Sequence, residues 1–279
     1  MRLRSLLFVP GDRPEHMEKA LKVGADALIL DLEDSVALVA KPQARAAVAT
    51  FIRSAPRGVK LFVRVNPLDS GLVNDDLAAI LDARPDGIVL PKAEGAASIE
   101  ALAARCHSIP ILPIVTETPS AIFKIGSYAG VEKQLLGLTW GAEDLPAAIG
   151  ASTARDEHGR YLPPYELVRS LTLFGAHAAN VPAIETVYPS FRDLEGLRTY
   201  ARNGRRDGFT GMMAIHPDQV PIINEAFSPS DEEVAHAKAV IAAFEANPGK
   251  GALQLDGRMI DLPHLKLARK LLRSVAEQG

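Results

Sequence analysis

Two acids in this chain stand where short apolar runs stop: Glu117 follows Val115-Thr116, and Asp144 ends the stretch Trp140-Gly-Ala-Glu-Asp144. Carboxylates that converge from neighbouring strand ends either share a proton or hold a metal ion. With no multi-cysteine or paired-histidine motif nearby, the ion suited to such a pair is Mg²⁺, which takes one or two carboxylates and completes its shell with water and substrate oxygens. The same acids also precede helices, in Glu117-Thr-Pro and Asp144-Leu-Pro, where an acidic residue is favoured at a helix N-terminus. Spacing alone leaves both readings open. A second acidic group, Asp31-Leu-Glu33-Asp34, closes another apolar run, and strand alternation turns Asp31 and Glu33 the same way. Three acids so close repel unless cations neutralise them. Arg64, near the end of one apolar run, and Lys92, after the next, are the partners at hand, and for Asp31 and Glu33 a structural ion-pair network is the expected role. Arg64 has a further use, because a guanidinium beside a metal ion stabilises an oxyanion during reaction.

The elements that must position these groups follow from hydrophobic patterning. Almost continuously apolar runs recur at Ser5–Val9, Ala27–Leu32, Leu61–Val65, Gly87–Leu90, Ile111–Val115, Leu136–Trp140, Ala183–Val187 and Gly211–Ile215. Such runs mark parallel strands buried on both faces. Between them helical periodicity predicts helices at Pro14–Val23, Pro42–Ser54, Leu72–Ala83, Ala96–Cys106, Pro119–Ala129, Pro164–Ala178, Leu194–Asn203 and Asp218–Ala226. Eight such alternations are what a closed (β/α)₈ TIM barrel of the α/β class requires, and its active site lies at the C-terminal strand ends, where the acids above stand. No G-x-G-x-x-G or Walker A loop is present, which removes most support for a nucleotide-binding doubly wound sheet. After Phe227-Ser-Pro-Ser230 the pattern changes to two helices, Asp231–Ala246 and Leu262–Ala276, separated by the loop Asn247-Pro-Gly-Lys-Gly251. The expected division is a catalytic barrel over residues 1–227 and a C-terminal helical lid or oligomerisation extension over residues 228–279.

Composition narrows the partners. With 31 Lys+Arg against 34 Asp+Glu the formal net charge is −3, so there is no basic excess of the kind nucleic-acid binders carry. Cys106 is the single cysteine, which excludes a disulfide framework within the chain and any multi-cysteine metal site. A reducing, cytoplasmic setting is expected. The run Leu6-Leu-Phe-Val9 is ended by Pro10-Gly-Asp12, too soon for a signal peptide, and no apolar segment approaches the ~20 residues that cross a bilayer. Cys106-His107 sits late in an outer helix and reads as packing. His216, before Pro217, is expected to hydrogen-bond at the barrel rim. Leu265, Ala268, Leu272 and Val275 form an apolar stripe among basic residues, expected to pack on a subunit surface rather than a membrane.

The stretches Leu6-Leu-Phe-Val-Pro-Gly-Asp-Arg-Pro14, Ala27-Leu-Ile-Leu-Asp-Leu-Glu-Asp-Ser-Val36, Phe62-Val-Arg-Val-Asn66, Val115-Thr-Glu-Thr-Pro119, Trp140-Gly-Ala-Glu-Asp144 and Ala214-Ile-His-Pro217, in this order, resemble the citrate lyase β-subunit-like branch of the HpcH/HpaI aldolase superfamily. The resemblance covers nearly the whole chain. It implies a Mg²⁺-dependent TIM barrel that cleaves or forms a carbon–carbon bond next to a thioester, as the malyl-CoA, citramalyl-CoA and citryl-thioester lyases do. Glu117 and Asp144 match the family's metal ligands, and Arg64 matches its oxyanion-stabilising arginine. Arg13 and Lys19 fall where relatives contact coenzyme A phosphates, although both also read as solvated helix-surface charges.

Pyruvate-type aldolases of the superfamily place a histidine general base after the second strand. Here Asp34 stands near that place, which favours the thioester lyases and makes Asp34 a catalytic candidate. Leu255-Asp-Gly-Arg-Met-Ile-Asp-Leu-Pro263 resembles the lyase segment that carries a catalytic aspartate, Asp261 in this chain. Read from residues alone, Asp261 is a helix N-cap. In relatives this tail closes over an adjoining subunit, so the resemblance implies a homo-oligomer, trimer or hexamer, with Asp261 serving in cis or in trans. The implied activity is cleavage of a malyl-CoA or citramalyl-CoA type thioester to a 2-oxo acid and acetyl-CoA. A β subunit acting on citryl-acyl carrier protein and a non-catalytic thioester-binding protein are the alternatives.

Overall fold

The apolar runs form eight parallel strands among the described residues of the computed structural model, which are 3–56, 58–106 and 108–276. They are β1 (Ser5–Pro10), β2 (Ala27–Asp31), β3 (Lys60–Arg64), β4 (Gly87–Leu90), β5 (Ile111–Pro113), β6 (Leu138–Thr139), β7 (Ala183–Glu185) and β8 (Gly211–Ala214). Their order is β5-β4-β3-β2-β1-β8-β7-β6. Parallel bridges Ile111 to Leu135 and Ile114 to Thr139 then join the two ends, so the sheet curls into a barrel. Helices α1 (Pro14–Ala20), α2 (Lys41–Ser54), α3 (Val73–Ile80), α4 (Ala96–Cys106), α5 (Pro119–Ile122), α6 (Asp144–Ile149), α7 (Pro163–Ala178), α8 (Leu194–Asp207) and α9 (Gln219–Ala226) alternate with the strands.

Side chains alternate between two cores. Leu7, Val9, Leu28, Leu30 and Val63 point outward against the helices, while Leu6, Ile29, Phe62, Val89, Leu112, Ile114, Ile184 and Met213 fill the barrel interior. This period of two decides what faces the mouth. Two residues beyond Ile29, Phe62, Ile184 and Met213 come Asp31, Arg64, Thr186 and Ile215, and all four line the cavity at the C-terminal ends of the strands.

The chain divides into two compact units, Leu3–Phe227 and the segment from Ser228 onward. The second unit holds α10 (Asp231–Glu245), an antiparallel hairpin of β9 (Ala252–Leu255) and β10 (Arg258–Asp261), and α11 (Leu262–Ala276). Its own small core joins Ala237, Val240 and Phe244 to Ile260, Leu265 and Ala268, with Leu272 packed at its edge. The apolar stripe expected to seat on another subunit is thus covered, at Leu265 and Ala268, by α10 of the same chain.

Three local expectations are corrected. The helix predicted over Pro119–Ala129 is a single α-turn, α5, followed by a 3₁₀ segment Ile125–Gly130, as glycines at 126 and 130 weaken an α-helix. Asp144-Leu-Pro, expected to precede a helix, is itself the first turn of α6, which begins at Asp144. The hairpin β9–β10 follows the loop over residues 247–251, in a stretch to which the sequence pattern assigns no element; its Asp256-Gly257 turn takes positive φ at both residues, the geometry Asp-Gly favours. No helix among the described residues is long and apolar enough to cross a membrane.

Candidate active site

Arg64 is the centre of the ion-pair network at the mouth. Its Nε and Nη2 each lie 2.7 Å from one oxygen of Asp31, a two-pronged match of planar donors to a carboxylate. Its Nη1 stands 2.9 Å from Glu33 Oε2 and 3.5 Å from Asp34 Oδ2. Phe8 lies beneath the guanidinium, 4.8 Å from ring centroid to Cζ. Asp31 is fixed in turn by N–H donors of Glu33 and Ser35 at 2.9 and 3.1 Å. Burial pushes the Asp31 carboxyl up, but the hydrogen bonds and charge of Arg64 outweigh it and hold the group below the usual carboxylate range. Burial dominates at Glu33, whose carboxyl rises despite Arg64 and Lys92. The loop that carries these acids is clamped by buried Lys41, which donates to the carbonyls of Leu32 and Glu33 at 2.7 and 3.0 Å, and by Asn66, which donates to Leu32 at 3.0 Å.

Lys92 ties this network to the second acid pair. It adopts a left-handed backbone, φ 51°, a conformation that costs a non-glycine residue roughly 1–3 kcal/mol. That turn aims its N–H at Glu117 Oε2, 2.5 Å away, while its Nζ reaches Glu33 Oε1 at 2.8 Å and Asp144 Oδ1 at 3.6 Å. Glu117 is 4% exposed. Burial pushes its carboxyl up to about 8, against the Lys92 N–H and with the charges of Asp144 and Glu33. Neither acid is a helix cap: Thr118 caps α5, accepting from Ala121 N–H, and Asp144 is the first residue of α6 with no capping side-chain bond. Thr118 also donates to Glu94, which Ser120 and Lys124 bind as well, so the turn after Glu117 is held from outside.

The cavity bounded by these groups measures about 440 Å³. Asp31, Asp34, Glu117, Glu143 and Asp144 line it against one lining cation, Arg64, and its other wall is apolar: Phe8, Ile114, Val187, Met213 and Ile215. An acid-rich mouth of this kind repels an anionic substrate unless a divalent cation enters first. Glu117 and Asp144 fit Mg²⁺ by their all-oxygen chemistry. Gly141 makes room for the first of them, since a Cβ there would stand 2.9 Å from Glu117 Cγ and 3.1 Å from its Oε1. Among the described residues no group of three or more His, Cys, Asp or Glu side chains is arranged to hold a metal, so any ion here depends on the pair plus water or substrate.

Asp34 is exposed at the cavity wall beside Arg64. Arg13 and Lys19 are exposed and do not line the cavity; Arg13 lies 3.7 Å from Asp12. Asp261, in the second unit, ends β10 and accepts from His264 at the first turn of α11, with the imidazole Nδ1 2.5 Å from Oδ1. That contact holds its carboxyl below the usual range. His216 accepts from Asp218 N–H at 3.3 Å and stacks on Phe191. Cys106 is buried, and His107 lies outside the described residues.

Several residues that shape the site were missed from sequence. Fully buried Glu185 on β7 accepts from Trp140 Nε1 at 2.5 Å, Tyr200 at 2.8 Å and Arg169 at 2.8 Å, anchoring the strand that leads into Gly141. An acid inside the run Ala183–Val187 was its signal. Lys41 and Thr116 left none, because a lysine beside a proline reads as a solvated helix start and a threonine in an apolar run reads as strand.

An eight-stranded barrel with an acid-rich cavity at the C-terminal strand ends has the architecture of a TIM-barrel enzyme. The chain belongs to the HpcH/HpaI aldolase/citrate lyase family, which matches residues 4–217. Among its relatives, a (3S)-malyl-CoA thioesterase of Cereibacter sphaeroides is 36% identical over 96% of this chain and 93% of the relative. The mitochondrial citramalyl-CoA lyase of Homo sapiens is 33% identical over 95% and 83%. The solved structure of CitE from Mycobacterium tuberculosis with magnesium, acetoacetate and coenzyme A superposes with a TM-score of 0.85 at 36% identity, covering 98% of this chain and 97% of that one.

Proposed function

We propose that this protein cleaves the carbon–carbon bond of a 3-hydroxyacyl-CoA thioester of the malyl-CoA or citramalyl-CoA type, releasing a 2-oxo acid and acetyl-CoA. The observation that carries the proposal is that Glu117, Asp144 and Arg64 open on one cavity at the strand ends. The magnesium, acetoacetate and coenzyme A bound by the Mycobacterium tuberculosis relative support it.

Glu117 and Asp144 would hold Mg²⁺, which supplies Lewis-acid polarisation and a template for a carboxylate and the neighbouring hydroxyl oxygen. Asp34, at the cavity wall, takes the proton of the substrate hydroxyl. The oxygen's electron pair becomes the new C=O, and the electrons of the breaking C–C bond pass into the thioester as an enolate. Arg64, immobilised by Asp31, offers the second N–H of its Nη2 to the enolate oxygen, so the donor needs no reorientation as charge develops. The enolate carbon then gains a proton and becomes the methyl group of acetyl-CoA; the resemblance of its segment assigns that transfer to Asp261. Arg13 and Lys19 are assigned to the coenzyme A phosphates on the same footing.

Thioester hydrolysis is the second reading, favoured by the malyl-CoA thioesterases at 36% identity. The two differ in products. Incubation with malyl-, citramalyl- and citryl-CoA in Mg²⁺, with products resolved by mass, yields 2-oxo acid and acetyl-CoA from a lyase, but hydroxy acid and free coenzyme A from a hydrolase. Free coenzyme A as the sole thiol product removes the lyase assignment. Binding without turnover across the panel removes both.

A further inference from the structure

Beyond Pro113 and Thr139 the regular strands β5 and β6 have ended, yet Glu117 and Asp144 lie further along the two segments. One backbone bond continues, from Val115 N–H to the Thr139 carbonyl at 2.9 Å. One residue later the connection passes to a side chain. The Thr116 hydroxyl accepts from Gly141 N–H at 3.0 Å and donates to the Gly141 carbonyl at 2.9 Å. A hydroxyl both donates and accepts, so one Oγ satisfies both polar groups of Gly141. Thr116 is fully buried. It thus clips the residue before Glu117 to the residue three before Asp144, at the glycine against which the Glu117 side chain packs.

We propose that Thr116 is a positioning residue that fixes the Glu117 and Asp144 carboxylates relative to each other, and so sets the affinity of the pair for a divalent cation. The inference rests on the assignment of that pair as the cation site. Valine fills the same volume but leaves the N–H and C=O of Gly141 without their partner. Serine keeps the hydroxyl.

The test is calorimetric titration of Mg²⁺ into the full chain, with thermal unfolding in parallel. Thr116→Val is expected to bind Mg²⁺ about tenfold more weakly, the loss expected when hydrogen bonds of ordinary net strength are removed. Thr116→Ser is expected within about twofold of the unmodified chain. Thr172→Val is the control, since it removes another fully buried hydroxyl, which donates to the Val168 carbonyl within α7 at 2.9 Å, and leaves Mg²⁺ affinity unchanged. If Thr116→Val does not fold, Thr116→Ala removes the same hydroxyl with less bulk and carries the same expectation. In turnover assays, raised Mg²⁺ restores the rate of the valine variant while KM for the thioester stays constant. Unchanged Mg²⁺ affinity on loss of the hydroxyl, or an equal loss in Thr172→Val, overturns the proposal. An unmodified chain that binds no Mg²⁺ overturns the cation-site assignment itself, which separates the two failures.

Discussion

Replacing Gly141 by alanine tests the geometry around Glu117 with one methyl group. The new Cβ would stand 2.9 Å from Glu117 Cγ, 3.1 Å from Oε1 and 3.2 Å from Ile114 Cγ2, against an ordinary carbon–carbon separation of about 3.5–4.0 Å. Relief therefore requires a shift of roughly 0.5–1 Å. Ile114 belongs to the packed interior, and the Glu117 carboxylate, held by the Lys92 N–H, faces the cavity, so the carboxylate yields first. Gly141 does not have a positive φ, so alanine adds no backbone strain to this contact. Overpacking of this size costs about 1–3 kcal/mol of stability, whereas a misplacement near 1 Å at a reacting centre costs on the order of 100-fold in rate. Gly141→Ala should therefore remain folded, with Mg²⁺ affinity and Mg²⁺-dependent turnover both sharply reduced. The assay is thioester turnover across a Mg²⁺ series beside thermal unfolding. Turnover and Mg²⁺ dependence within twofold of the unmodified enzyme would refute the placement of Glu117 against Gly141 as a functional contact.

Arg64→Lys should lower turnover by 100-fold or more, because an ammonium cannot span both Asp31 oxygens and still present a donor to the cavity; a near-normal rate would make Arg64 purely structural. The same change disrupts a buried ion pair, and unfolding in denaturant should register a loss of about 3–5 kcal/mol if no donor replaces the second prong. Hydrogen bonds from Lys124, Thr118 and Ser120 hold the Glu94 carboxyl at about 2, below its ordinary value near 4.5. The folded state therefore binds this proton less readily than the unfolded chain, and the stabilisation is complete above about pH 4.5 and is lost as pH falls toward 2. In Glu94→Gln that part of the acid-range dependence should vanish from melting temperatures; an unaltered profile would contradict it. Asp261→Asn should depress turnover with little change in KM, whereas a loss confined to the stability of the helix it begins would leave Asp261 as a cap alone.

The barrel was legible because strands buried on both faces write themselves as unbroken apolar runs, and eight of them locate eight strand ends. Those ends pointed to Glu117, Asp144, Asp31 and Arg64, and the structure brings all four to one cavity. What pattern does not encode is how they are held. Lys92 joins the two acid groups through a left-handed backbone that no periodicity signals. Thr116 acts across strands whose regular pairing has stopped. The β9–β10 hairpin has little buried surface to create an apolar run, and only its Asp256-Gly257 turn marks it. Pro119–Ala129 showed helical periodicity, but its glycines convert the second half to 3₁₀ geometry.

The most direct measurement follows products from citramalyl-CoA and malyl-CoA in Mg²⁺, in excess chelator, and with the Glu117→Gln/Asp144→Asn double variant. Acetyl-CoA with pyruvate or glyoxylate should form only from the unmodified enzyme in Mg²⁺, while the double variant keeps its folded far-UV spectrum. Equal product formation in chelator, or from the double variant, would contradict a divalent ion gripped by these two carboxylates.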